Sequence, residues 1–300
     1  MDGILNIHKP LGMTSFDVVA RVRRLTGTKK VGHTGTLDPD AQGVLPVCVG
    51  RATKMIEFLM DKDKAYRVGL LLGSTTDTQD ASGTLLEEKP VEASFEEIQR
   101  TILSFVGRRE QIPPMYSAIK VNGQKLYELA RQGVEIERKP RTVHFYSISL
   151  IHMERKADKV SVVMDVECSK GTYMRTLCHD IGRALGCGGI MESLIRTRSG
   201  PFTLEQSYTL EDLIRLKEEN KLETALMAPD QAVLSLPAVK VSDRDAQRLR
   251  NGLTVKLSKP EGFKDFIRVY HEKGHFLAVG RMLEKGDTTE LKSCKWMDSL

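Results

Sequence analysis

Three hundred residues, 40% apolar and 28% charged, exceed one typical domain and exclude a disordered or fibrous chain. No apolar run is long enough for a bilayer-spanning helix, and the start, MDGILNIHKP, lacks the basic-then-apolar layout of a secretory signal, so a cytoplasmic protein is expected. A net charge of +5 tilts only mildly toward an anionic partner, while five cysteines without a CxxC pair argue against a disulfide framework or structural zinc and read as reduced, mostly buried thiols.

In chain order, GILNIHKP reads as a short strand entering a turn at Lys9-Pro10-Leu11-Gly12. A helix follows: Thr14 with Asp17 fits a capping box, Val18, Val19, Val22 and Leu25 share one face, and Gly27 supplies the stop. Residues 29–43, KKVGHTGTLDPDAQG, have neither helical nor strand period and read as a long irregular loop, a type that tends to be functional inside compact domains. VLPVCVG then suggests a buried strand, RATKMIEFLM a helix and AYRVGLLLG a strand ending at Gly73, followed by the turn-rich TTDTQDASG. A second capping box, Ser94 with Glu97, opens a helix through ILSFVG, and QKLYELARQG predicts another closed at Gly133. Strands at 143–153 and 160–168 lead into a sharp GTY turn and a helix from about Tyr173 to Leu185, stopped by GCGG.

Helices alternating irregularly with hairpin-like strands predict an α+β fold on a mixed, largely antiparallel sheet over residues 1–235. From 236 to 300 the texture changes to one short helix, DAQRLRNG, and strands around LTVKL, IRVYH and HFLAVGRML, a small β-rich domain.

GHTGTLDPDAQG (32–43) is the most distinctive segment, because its glycines permit backbone conformations closed to other residues and Pro39 stiffens the step after Asp38. That layout suits a carboxylate held on a fixed loop for catalysis. An Asp before Pro also simply starts many turns, and Asp40 is a rival carboxylate two residues on; the pattern leaves these readings open. No GxxxxGK[ST], GxGxxG before a helix, GxSxG or HExxH occurs, so neither nucleotide-cofactor, serine-hydrolase nor metal chemistry is indicated. ARVRRLTGTKK (20–30), with five basic and no acidic side chains, and RKPR (138–141) are local basic clusters that serve either as solvated surface or as phosphate contacts.

Three separated segments together, NIHKPLGMTS, GHTGTLDPDAQGVLPVCVGRATK and CSKGTYMRTLCHDIGRALG, with KAYRV around Tyr66 as a fourth point, resemble the TruB family of tRNA pseudouridine-55 synthases. The resemblance covers most of residues 1–235, and the C-terminal region is similar to a reduced PUA-type RNA-binding domain. It implies Asp38 as the catalytic aspartate, Arg175 as its partner, and Tyr66 stacked on the extracted base with its phenol placed to remove the C5 proton. Tyr173 and Leu194 would complete the pocket, His33 would touch the tRNA loop where the nucleotide is pulled out, and Lys9-Pro10 would brace the catalytic loop. It further implies a stand-alone monomer acting on the T stem-loop of tRNA, with no cofactor, metal or membrane. A tRNA-folding chaperone without chemistry is a rival that the Asp38, Tyr66 and Arg175 set argues against. Gln42, where a small hydroxyl residue is usual, departs from the family pattern without touching Asp38.

Overall fold

The computed structural model describes residues 1–117, 119–121, 123–257, 265–285 and 288–297. The helix Ser15–Thr26 starts on the expected capping box, the Thr14 hydroxyl accepting from the Asp17 amide and the Asp17 carboxylate accepting from that of Thr14, and it ends at Gly27 with a left-handed φ of 67°. Such a cap contributes about 1 kcal/mol, but what fixes the helix in place is its buried stripe of Val18, Val19 and Val22.

A nine-stranded sheet carries the larger part of the chain. Its main path runs Gly3–Lys9, Ala41–Val49, Gly189–Ser199, Lys64–Leu72, Lys159–Cys168, Arg141–Lys156, Gly107–Gln111, with Val31–His33 and Phe202–Thr203 attached beside it. Every pairing is antiparallel except three residue pairs, Ala41–Gly43 against Leu194–Arg196, so the sheet is mixed and largely antiparallel as expected. Lys159–Cys168 alternates strictly, burying Val160, Val162, Met164, Val166 and Cys168 in one cluster with Leu177, Cys178 and Ile181 of the helix Met174–Ala184. Ala41–Val49 is instead buried on both faces: Leu45, Val47 and Val49 meet the Ser15–Thr26 helix, while Val44 and Cys48 face the opposite cluster. This two-sided burial is why VLPVCV is continuously apolar. Each such Leu or Val contributes about 1.5–3 kcal/mol of transfer free energy.

Toward the C-terminus the described residues form a second, five-stranded sheet in the order Ala238–Val241, Phe266–His271, Phe276–Lys285, Thr288–Trp296, Val255–Lys256, with the helix Asp243–Arg250 against it. Val279 and Met297 join the cluster around Ile4, Met55 and Leu59, the Lys54 amine donates to the Trp296 carbonyl (2.7 Å), and Lys295 pairs with Glu57 (2.8 Å). Among the described residues no helix is long and apolar enough to cross a membrane. All five cysteines are free thiols, and Cys294 alone of them is exposed.

Several elements differ from expectation. The irregular loop shrinks to residues 34–40, because Val31–His33 and Ala41–Gly43 pair as strand. Gly50–Met55 is a 3₁₀ turn, and α-helix covers only Ile56–Met60. The helix after Ser94 stops at Ser104, the one near 130 is only Leu126–Arg131, and the strands Gly107–Gln111, Gly189–Ser199 and Thr288–Trp296 and the helix Leu210–Glu218 were not anticipated.

Gly43 marks where the parallel pair closes. Its φ is +107°, and a Cβ there would lie 2.3 Å from the Arg196 carbonyl oxygen. Gly43→Ala therefore combines backbone strain with overpacking and is expected to destabilise the protein by about 3 kcal/mol or more, read from urea unfolding. An unchanged midpoint would show that the two strands part here at no cost.

Candidate active site

The loop 34–40 projects a carboxylate from the junction of three elements, and buried groups hold its main chain on both sides of that carboxylate. The Arg196 guanidinium donates to the carbonyl of Gly35 (Nη2, 3.0 Å) and to that of Val44 (Nε, 2.7 Å). The buried Ser15 hydroxyl brackets Leu37, accepting from its amide (2.9 Å) and donating to its carbonyl (3.1 Å). The Gly12 amide donates to the Pro39 carbonyl (2.9 Å), and the fully buried Lys9 amine donates to the carbonyls of Met13 (2.6 Å), Pro10 (2.9 Å) and Pro39 (3.4 Å). Between these anchors the Asp38 side chain stays about 45% exposed.

It opens onto a cleft of about 330 Å³, within the range of small-ligand sites. Tyr66, Tyr173, Arg175, Leu194 and Arg196 line the cleft together with Asp38. Arg175 Nη2 lies 3.0 Å from Asp38 Oδ2, while Nη1 faces Asp80 Oδ2 at 3.6 Å. Arg175 is the second residue of its helix, where the backbone dipole opposes a cation. Flanking carboxylates offset that cost. Asp80 is itself locked, its Oδ1 accepting from the hydroxyls of Thr78 (2.7 Å) and Ser82 (2.6 Å), which leaves Oδ2 for the arginine.

Tyr66 is half-buried near the fully buried Arg196; burial pushes its phenol up, and the guanidinium offsets only part of that rise. Burial likewise lowers Arg196, for which no carboxylate lies within ion-pairing distance among the described residues. Lys64, also at the cleft, donates to the Met60 (2.8 Å) and Lys62 carbonyls and is pushed down to about 8 by burial.

Of the residues singled out from sequence, Asp38, Tyr66, Tyr173, Arg175 and Leu194 meet in this cleft. His33 does not line it: half-buried on its short strand, it accepts from the Gly35 amide at Nδ1 and meets the exposed Phe16 ring edge-on (5.2 Å). Asp40 is exposed and outside the lining. Arg196 and Asp80 were missed. A charged residue in an unrecognised strand carries no signal, whereas the Asp80–Ser82 spacing is a turn signature that could have marked Asp80 as fixed. Among the described residues one cluster of metal-ligand type, Asp243, His271 and Glu272, lies between the helix Asp243–Arg250 and the second sheet. There His271 Nδ1 accepts the Lys273 amide and Nε2 meets Asp243 (2.8 Å), which makes it a hydrogen-bonded pair joining helix to strand.

Residues 23–174 match the model of the TruB family pseudouridylate synthase N-terminal domain. The chain belongs to this family. Two further TruB models continue the match: tRNA pseudouridylate synthase B C-terminal domain over 175–234, and pseudouridine synthase II TruB, C-terminal, over 237–289. A tRNA pseudouridine synthase B of Clostridium perfringens strain SM101 is 48% identical over 291 residues, covering 95% of this chain and 97% of that protein. One of Alkaliphilus oremlandii is 51% identical over 252 residues, covering 84% and 82%. Among solved structures, a chain of the archaeal box H/ACA sRNP Nop10-Cbf5 complex aligns with a TM-score of 0.74 at 26% identity, over 98% of this chain and 85% of its own. This TruB-family chain is thus an isomerase of the pseudouridine synthase class.

The buried Lys9 amine gives the TruB-family loop a pH signature. Burial pushes it down to about 8 from an ordinary 10.5, with Asp38 and Asp40 pulling the other way. Between those values the unfolded chain retains a proton that the folded chain has lost, so the Lys9 contribution to stability is smallest below about 8 and rises toward 10.5. The unfolding free energy of the wild type is expected to gain on that of Lys9→Met across this window. Parallel pH curves for the two proteins would show that the amine titrates as it does in water.

Proposed function

We propose that this chain isomerises uridine 55, in the T loop of tRNA, to pseudouridine, with Asp38 as the essential carboxylate and without guide RNA, metal or cofactor. The observation that carries the reading is the Asp38–Arg175 pair at 3.0 Å, on a braced loop, at a cleft walled by Tyr66, Tyr173 and Leu194. Pseudouridylation breaks the N1–C1′ bond, turns the uracil in place and joins C5 to C1′; N1 gains a proton and C5 loses one, so no redox partner is required. Attack on C1′, attack on C6 and removal of a ribose proton each need a carboxylate held against the nucleotide, and Arg175 restrains the orientation of this one. Tyr66 supplies a stacking face and a hydroxyl to take the C5 proton; burial holds that phenol above its ordinary range, and the Arg196 guanidinium offsets part of the cost of ionising it.

A base inside a folded T loop must be everted, at a cost of a few kcal/mol that contacts elsewhere on the RNA offset. Exposed Arg21, Arg23, Arg24, Lys29 and Lys30 provide phosphate contacts, His33 meets the everted loop, and residues 236–300 act as a PUA-like RNA-binding domain beside the catalytic domain of 1–235. Identity of 48% to proteins named tRNA pseudouridine synthase B, against 26% to the H/ACA chain, supports a stand-alone tRNA enzyme over a guide-dependent subunit. On this reading the chain acts in the cytoplasm, as a monomer.

In single-turnover assays on unmodified tRNA with a chelator present, Asp38→Asn is expected to lose many orders of magnitude in rate with tRNA affinity nearly unchanged, because an amide replaces neither a nucleophile nor a base. Asp40→Asn should retain substantial activity. If Asp40→Asn is instead the dead variant, or Asp38→Asn stays near the wild-type rate, the assignment fails.

Binding to tRNA is expected to weaken with salt along a log–log slope set by the phosphates contacted, and charge reversal at Arg23 and Arg24 should both weaken it and flatten that slope. Affinity indifferent to salt and to these substitutions would leave the cluster as solvated surface.

A further inference from the structure

Gln111 is the last residue of the Gly107–Gln111 strand at the far edge of the nine-stranded sheet; it is buried and does not line the cleft. Its carboxamide nevertheless reaches the site's framework through two hydrogen bonds of 2.9 Å to a single residue: Nε2 donates to the Tyr173 carbonyl, and Oε1 accepts from the Tyr173 amide. A side chain here pairs with an extended residue (φ −108°, ψ 116°) much as a neighbouring strand would.

Tyr173 is the N-cap of the helix Met174–Ala184 and makes no side-chain cap hydrogen bond. Tyrosine is not among the residues that cap well, so no capping side chain at this position fixes where the first turn begins. Arg175 sits in that turn against the helix dipole, and its direction toward Asp38 depends on where the turn starts. Beyond Gln111 the chain runs to Tyr116, whose carbonyl accepts from Arg175 Nη2 (2.7 Å), the same nitrogen that pairs with Asp38. One strand end therefore holds Arg175 at its backbone origin and, five residues on, at its tip.

We infer that Gln111 is a positioning residue for the isomerisation: its carboxamide registers the start of the Met174–Ala184 helix so that the Arg175 guanidinium meets Asp38. This deepens the proposed function and rests on its Asp38–Arg175 assignment. Gln111→Met keeps the side-chain length and loses both hydrogen bonds. Gln111→Glu keeps the acceptor and, once protonated, regains an O–H donor toward the Tyr173 carbonyl.

At saturating enzyme, Gln111→Met is expected to slow single-turnover isomerisation by about tenfold or more, the scale for a small misplacement, with tRNA Kd within about twofold of wild type. The rate of Gln111→Glu relative to wild type should rise as pH falls and the carboxyl protonates, a rescue that Gln111→Met cannot show. A crystal structure of Gln111→Met should place Arg175 out of hydrogen-bond reach of Asp38.

A wild-type saturating rate in Gln111→Met, or a loss confined to Kd, would overturn the inference. Should that variant not fold, a pH-independent ratio for Gln111→Glu overturns it instead. If the wild type makes no pseudouridine in tRNA, the substrate reading falls alone, since the Arg175 position in the variant still decides the role of Gln111.

Discussion

A peptide loop folded into a protein interior must find partners for its carbonyls, and here much of that need is met by buried cations. Lys9 and Arg196 donate into the main chain on either side of Asp38. An unsatisfied buried carbonyl costs about 1–3 kcal/mol and an unpaired buried cation costs more, so each liability offsets the other. The loop is held at Gly35 and Pro39 because those carbonyls form part of the solvation shells of two charges. Arg196, with Arg175 and Lys64, also makes the lining of the cleft cationic around the carboxylate of Asp38.

Arg175 is the second hinge of the design. It stands where its own helix disfavours it, between carboxylates delivered by two different loops, and its remaining donors go to main-chain carbonyls of Thr78 and Tyr116. A guanidinium has enough donors to serve all of these at once, in a planar geometry that an ammonium could not reproduce. The site is thereby assembled by one side chain reading the positions of several loops.

How much of this was legible follows from how local each cause is. The caps at Thr14 and Ser94 and the alternation in residues 160–168 are written within a few residues, and the structure places them where the sequence does. The family resemblance located Asp38, Tyr66, Tyr173, Arg175 and Leu194, which spacing alone left among alternatives. Gly189–Ser199 was invisible although it is central, because register shifts at Met191/Ser193 and Arg196/Arg198 break the two-residue period that marks a strand. Arg196 was lost with it, since a lone arginine in such a stretch reads as surface. Gln111 is illegible in principle, because its meaning lies in Tyr173, far along the chain.

Gly189–Ser199 also sets the order in which this molecule can come into being. It separates Ala41–Val49 from Lys64–Leu72, so two strands adjacent in sequence cannot complete their shared sheet until a segment more than a hundred residues later has inserted between them. Contacts of this range are closed late and at high entropic cost. A chain emerging from the ribosome holds Asp38 early but lacks Arg196, and with it the brace at Gly35, until most of the protein has been synthesised. The setting of the Asp38 carboxylate is therefore the product of a nearly finished fold, and a truncated chain carries the motif without its geometry.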